Sequence, residues 1–161
     1  MGLEQGELFV HRNVANLFIH SDLNYLSLLQ YAVDYLDINH VIVCGHYGCG
    51  GVGAAMKNNQ LRLVNNWLTI IRDLFARSKD ELNAIKAKTA RYDWLVELNV
   101  VSQVQNICHT AGVQNAWARG QDLTIHGLVY ELKTGLLLGL GCMVSGIDQV
   151  DKVYHTTQAL I

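Results

Sequence analysis

Apolar residues recur along this chain at two spacings, helical and strand-like, and their alternation sets the expected fold. Over residues 21–36, Tyr25, Leu29, Ala32, Val33 and Leu36 advance in steps of three and four, which predicts an amphipathic helix. Ser21 is placed to cap it, and Asp22 sits where the positive helix end favours an acid. His40-Val41-Ile42-Val43-Cys44 is instead a continuous run rich in β-branched residues, the pattern of a strand buried on both faces. Residues 7–10 are β-prone as well. A glycine-rich segment, residues 45–53, follows the strand, and Ala54-Ala55-Met56 reads as a helix start.

Further on, Leu61, Val64, Leu68, Ile71 and Phe75 predict a helix over residues 61–76, and the polar residues 77–91 are expected at the surface. Val96, Val100, Val104, Ile107 and Ala111 predict one long helix over residues 92–119, stopped by Gly120. Residues 123–130 form a second strand, and Lys133-Thr134-Gly135 a turn into Leu136-Leu137-Leu138. Residues 141–161 carry no assignable pattern. Strand, helix and strand in alternation predict one layered α/β domain over residues 1–161, without linker or repeat.

Composition narrows the function classes. Half of the 161 residues are apolar and 16% are charged, enough for a core and unlike a disordered tail. The net charge of −2 offers no basic excess to a phosphate backbone, so nucleic acid is not an expected partner. No apolar run approaches the roughly 20 residues of a bilayer span, so no membrane role is expected. The opening Met-Gly-Leu-Glu-Gln-Gly lacks the basic and apolar regions of a signal peptide, and Gly6 argues against a myristoylation signal. Cys44, Cys49, Cys108 and Cys142 are then expected as reduced thiols in the cytoplasm. Proline is absent, where about eight would be average, so long helices meet few breaks.

Chemistry concentrates in Cys44-Gly45-His46-Tyr47-Gly48-Cys49-Gly50-Gly51. The segment follows a strand and precedes a helix, which is where open α/β sheets bind ligands. His46 and Cys49, three apart, can bring an imidazole nitrogen and a thiolate onto one borderline-soft ion such as zinc. The glycines leave amide groups open to an anion near the helix start. Two other readings stand beside this one. The pair can be ordinary packed residues, and Gly48-x-Gly50-x-x-Gly53 formally matches a dinucleotide fingerprint. The acid that fingerprint needs would be Asp73, which falls inside a helical pattern instead of ending a strand.

Two segments, Phe9-Val10-His11-Arg12-Asn13-Val14-Ala15-Asn16 and Cys44 through Gly51, together resemble the β-class carbonic anhydrases of bacteria. The resemblance continues through Asn65-Asn66-Trp67-Leu68, Glu97-Leu98-Asn99-Val100 and Thr124-Ile125-His126-Gly127 with Tyr130, and so reaches about Leu140. It implies a mostly parallel sheet flanked by helices, assembled as a homodimer or dimer of dimers, with one zinc per subunit. It implies zinc ligation by His46 and Cys49 and a backbone N–H from Gly50 at the metal site. Phe9, Val14 and Tyr31 would wall the apolar CO2 pocket, partly with a neighbouring subunit. Arg12 and Tyr130 would belong to a non-catalytic bicarbonate pocket.

The chain also departs from the family. The Cys-x-Asp-x-Arg segment that supplies the remaining metal ligand and the metal-site acid has no counterpart before Cys44. The first strand and the N-terminal arm are expected to be missing with it. Two protein ligands are too few for a tight catalytic zinc, which ordinarily has three plus water. Cys108, His109 and Cys142 are expected to be packed residues, not substitutes. His11, His20, His40, His126 and His155 are expected in structural or surface roles, His126 as a hydrogen-bonded core residue. An unpaired strand edge should favour aggregation or borrowing of a strand. The sequence therefore predicts a carbonic anhydrase by descent with impaired turnover. The alternative is a non-catalytic oligomerising or bicarbonate-binding module.

Overall fold

The run at His40 does form a strand, the first of three. In the computed structural model, which describes residues 4–57 and 59–156, β1 (His40–His46) pairs in parallel with β2 (Thr124–Glu131). Strand β2 pairs antiparallel with β3 (Leu136–Gly139), across the turn read at Lys133-Thr134-Gly135. The order β1-β2-β3 leaves β1 at an edge of this mixed sheet. Residues 7–10 run beside it but join no strand.

β1 is not buried on both faces as its composition suggested. Val43 and Gly45 point into the core, while Ile42 (43% exposed) and Cys44 face outward. The inward face lies against α5 (Lys88–Cys108), whose Val96, Val100, Val104 and Ile107 are all at most 2% exposed. Glycines make this approach possible. A Cβ on Gly45 would stand 2.6 Å from Val100 Cγ2. One on Gly127 would stand 2.3 Å from Cys142 Sγ and 3.2 Å from both Val100 and Val104. Helix against glycine backbone packs closer than helix against side chains can.

Several helix boundaries differ from the sequence reading, each for a local reason. Asp22, not Ser21, caps α1 (Leu23–Gln30), its carboxylate accepting from Asn24 N and Tyr25 N at 3.0 and 3.3 Å. The rest of that helix widens into a π-turn, Tyr31–Tyr35, which leaves Leu36 exposed. Helix α2 (Gly50–Met56) starts at Gly50, before the alanines, and α3 (Leu63–Arg77) follows. The polar stretch after it is not wholly a surface feature, because α4 (Lys79–Ala84) buries Leu82 to 1% exposure. The single long helix is in fact two, α5 and α6 (Ala111–Ala118). Thr110 breaks it, its hydroxyl donating to Ile107 O at 2.7 Å and accepting from Val113 N. Gly120, at φ +80, ends α6 as expected.

Helix α5 also anchors the segment ahead of α1. Asn99 and Gln103, both fully buried, form a polar ladder on it. Asn99 Nδ2 donates to Ala15 O (2.9 Å), Gln103 Nε2 donates to Asn99 Oδ1 (3.0 Å), and Gln103 Oε1 accepts from Phe18 N (2.9 Å). These bonds hold the turn Val14–Asn16, where Ala15 and Asn16 adopt φ of 63 and 46. The unassigned tail runs back along the core, with Val144 bridged to Ile125 and two short turns, Ile147–Gln149 and Lys152–Tyr154. Residues 1–3 and 157–161, at the ends of the opening and tail segments read from sequence, lie outside the described residues.

Substituting Gly45→Ala should destabilise the fold by about 1–3 kcal/mol, since the Cβ must displace Val100. Urea denaturation of the double variant G45A/V100A should show less destabilisation than the sum of the two singles.

Candidate metal centre

The carboxyl end of β1 turns sharply into α2. Gly48 takes φ +74, a left-handed conformation that suits glycine, and Cys49 becomes the residue ahead of the first helical turn. His46 closes the strand and Cys49 lies across the turn, 5% exposed. His46 Nδ1 bonds Tyr47 O at 3.0 Å. A carbonyl partner makes Nδ1 the protonated nitrogen and leaves Nε2 with a free lone pair. That is how a ligating imidazole is commonly oriented.

Neighbouring side chains fix the turn from α5. Tyr92 donates its hydroxyl to Cys49 O, and its ring fills the space beside Gly53, where a Cβ would stand 3.1 Å from it. Tyr47 donates to Glu97 Oε1 at 2.5 Å, and Tyr47 N donates to Tyr130 O at 3.1 Å. The bond to Glu97 pushes the Tyr47 phenol up to about 12, with burial adding to it. Burial and then Glu97 raise the Asp93 carboxyl, against the pull of Lys133. Burial, followed by the nearby Cys49, raises Tyr92. The turn therefore sits beside an acidic cluster of Asp93, Glu97 and Glu131.

The structure places the other sequence-predicted residues as follows. Val14 packs on the start of α2, its Cγ1 2.9 Å from where a Gly51 Cβ would be. Phe9 and Tyr31 face each other with ring centroids 6.3 Å apart. Phe9, Val14 and Tyr31 are 51%, 50% and 50% exposed, so each leaves about half its surface open. Gly50 opens α2 directly after Cys49. Arg12 and Tyr130 line one groove of about 550 Å³ between residues 7–18 and β1, which His46 also borders. His126 is not a core residue: it is partly exposed and meets His40 at 3.2 Å.

Among the described residues, no group of three or more His, Cys, Asp or Glu stands close enough to hold a metal ion. Burial pushes the Cys108 thiol up to about 12. A thiol held protonated is a poor ligand. His46 and Cys49 stand at the two ends of one turn, one closing β1 and the other preceding α2.

The residues that sequence reasoning missed are those that hold the turn. Tyr92 lies four before Val96 and reads as one more member of the helix stripe. Nothing in its spacing reports a bond to Cys49.

Comparison with known proteins decides the family. The family profile for carbonic anhydrase matches residues 1–137. The chain belongs to the β-class carbonic anhydrases. It is 42% identical over 159 residues to a carbonic anhydrase of Emericella nidulans, spanning 98% of this chain and 70% of that one. A Saccharomyces cerevisiae carbonic anhydrase is 32% identical over 85% of this chain and 65% of its own length. The Coccomyxa β-carbonic anhydrase solved with acetazolamide superposes with a TM-score of 0.83 at 42% identity, over 89% of this chain and 65% of that one. A tetrameric β-carbonic anhydrase of Sordaria macrospora gives 0.84 at 29% identity, over 89% and 73%. The chain therefore spans about two thirds of these relatives, and about half of one from Candida albicans (47%). The family is one of zinc lyases, carbonate dehydratases, and it removes the dinucleotide reading of the glycine segment.

Replacing Tyr92 by Phe keeps the ring on Gly53 but removes the bond to Cys49 O. Losing one hydrogen bond of about 1 kcal/mol should raise opening of the turn, and alkylation of Cys49 by iodoacetamide, about fivefold. The assay belongs in a Cys44→Ser background, because Cys44 is exposed.

Proposed function

We propose that this chain is the core of a carbonate dehydratase interconverting CO2 and bicarbonate, with His46 and Cys49 as two donors to a zinc ion. The arrangement that carries this reading is the turn after β1, with His46 Nε2 left free by the bond from Nδ1 and Cys49 held by Tyr92. Zinc would lower the pKa of a bound water towards neutrality. The described residues alone do not supply a third donor, so turnover by this chain by itself is proposed to be impaired. Phe9, Val14 and Tyr31 supply apolar surface for CO2, and Gly50 presents a backbone amide beside Cys49. The open face of the sheet at Ile42 and Cys44, together with exposed Leu8, Phe9 and Val10, suits a second subunit in a homodimer or dimer of dimers. Four unpaired cysteines are consistent with the cytoplasm as its compartment.

A second reading is favoured by a separate observation. Arg12 has no ion-pair or hydrogen-bond partner among the described residues and shares its groove with Tyr130. A free guanidinium beside a phenol suits bicarbonate, which would make the chain a non-catalytic bicarbonate-binding or oligomerising module.

Zinc competition against a chelator and stopped-flow CO2 hydration separate these readings. Zinc should bind weakly and be removed by dialysis against EDTA. His46→Ala or Cys49→Ser should each weaken it by at least about tenfold. Hydration should stay near the uncatalysed rate. Zinc binding unaffected by either substitution would defeat the metal assignment. One zinc per chain surviving dialysis, with turnover abolished by Cys49→Ser, would show that the centre is complete after all. Bicarbonate binding lost in Arg12→Ala, with zinc affinity unchanged, would support the second reading.

A further inference from the structure

At the other end of α5 lies a second cavity, of about 670 Å³, which shares no lining residue with the groove beside β1. Its charged and titratable lining is entirely basic apart from one phenol: Arg77, His20, His109 and His155, with Tyr154. No Asp or Glu lines it. Arg77, the last residue of α3, has no hydrogen-bond or ion-pair partner among the described residues. His20 Nε2 bonds Asn106 O and His155 Nε2 bonds Val150 O, each at 3.0 Å. A ring nitrogen facing a carbonyl carries the proton, so in both neutral rings Nδ1 is left as the acceptor.

The wall is built in advance. His109 stacks on Tyr154 with centroids 3.8 Å apart and planes within 8°. Fully buried Gln114 pins that wall from behind. Its Nε2 donates to Cys108 O and Tyr154 O, both at 3.0 Å, and its Oε1 accepts from Thr156 N (2.7 Å) and Oγ1 (2.9 Å). Every hydrogen-bonding position of that amide is used, which holds residues 154–156 against the end of α5.

Charge bookkeeping sets when such a site attracts an anion. Helices α3 and α5 both end here, and each carboxyl end carries roughly half a negative charge. Those two ends offset the single charge of Arg77 while the imidazoles are neutral. Each proton taken up then adds a full positive charge. His20 opposes protonation of His109, Asp151 favours it, and burial is the largest factor holding it down. A bound anion would relieve the repulsion between the two imidazoles.

We propose that this cavity is a proton-linked site for a doubly charged oxyanion of the phosphate or sulfate class, free or carried as a small ester. Arg77 is its permanent cation, and His109 is its switched one, with His20 and His155 lining the same cavity. The site stands independently of the metal reading, since it uses none of the same residues.

Sulfate tests it best, because its charge is constant between pH 6 and 8, so any pH dependence belongs to the protein. NMR titration of the whole chain at constant ionic strength, with chloride as the balancing ion, should show saturable sulfate binding at pH 6. Affinity should be at least tenfold weaker at pH 8. By reciprocity, sulfate should move the His109 titration upward. Arg77→Gln, on an exposed helix end and checked for unchanged circular dichroism, should weaken binding at least tenfold at pH 6. His109→Gln should flatten the pH dependence while retaining part of the affinity. Phenyl phosphate binding tighter than inorganic phosphate would assign an ester as the ligand, and the reverse order the free ion. Non-saturable shifts at pH 6, equal affinity at pH 6 and 8, or undiminished binding in Arg77→Gln would each overturn the proposal.

Discussion

The closeness of α5 to the sheet is the constraint on which the rest of this molecule depends. Val100 and Val104 press on backbone at Gly45 and Gly127 because neither glycine carries a side chain to hold them off. That contact fixes the height and rotation of a 21-residue helix, and everything else on the helix inherits its position. Tyr92 reaches Cys49 O, Glu97 receives Tyr47, and Asn99 and Gln103 hold the backbone of Ala15 and Phe18. The buried amides matter because each is satisfied. A half-paired ladder in the same place would cost about 1–3 kcal/mol for each orphaned group.

The same helix therefore positions the turn that carries His46 and Cys49, the two donors of the proposed metal centre. His46 and Cys49 are held from three directions: the strand behind them, the helix they open, and α5 across from them. Such preorganisation lowers the cost of capturing a ligand at the turn. In the acidic cluster beside the turn, Glu97 is engaged by Tyr47, and burial raises the Asp93 carboxyl. Beside the turn, β1 offers an unpaired edge to the groove that Arg12 and Tyr130 share. The relatives are longer than this chain.

How far the sequence disclosed this arrangement depended on whether a feature was local. The strand at His40, the turn at Gly135 and the helix stop at Gly120 follow from residue types acting on their own backbone. The His46 and Cys49 spacing was equally local, and the family motifs around it were specific. The break between α5 and α6 was harder to read, because it rests on one threonine exchanging bonds with Ile107 and Val113, and the nearby Gly112 lies inside α6 and not at the break. The outward face of β1 was misread because β-branched composition reports strand preference and not the number of covered faces. Leu82 was missed because a short helix buries one residue without periodicity. Two long-range features, Tyr92 on Cys49 and Gln114 on the tail, separate residues by 43 and 40 positions and leave no spacing signal at all.

Helix α5 joins two ends of opposite character, acidic around Asp93 and Glu97, basic around His109. Sixteen residues separate Asp93 from His109, about 24 Å at helical rise. Screening at physiological salt acts over about 8 Å, so charge placed at one end is scarcely felt at the other. Protonation or an anion at His109 therefore cannot adjust the His46 and Cys49 turn through the field. Any influence has to travel mechanically, as a shift of α5 against Gly45 and Gly127. Those contacts leave little room, since a single added methyl group at either glycine already collides. The packing that positions the donors therefore also isolates them, and the two ends of α5 act as separate chemical environments on one rigid helix.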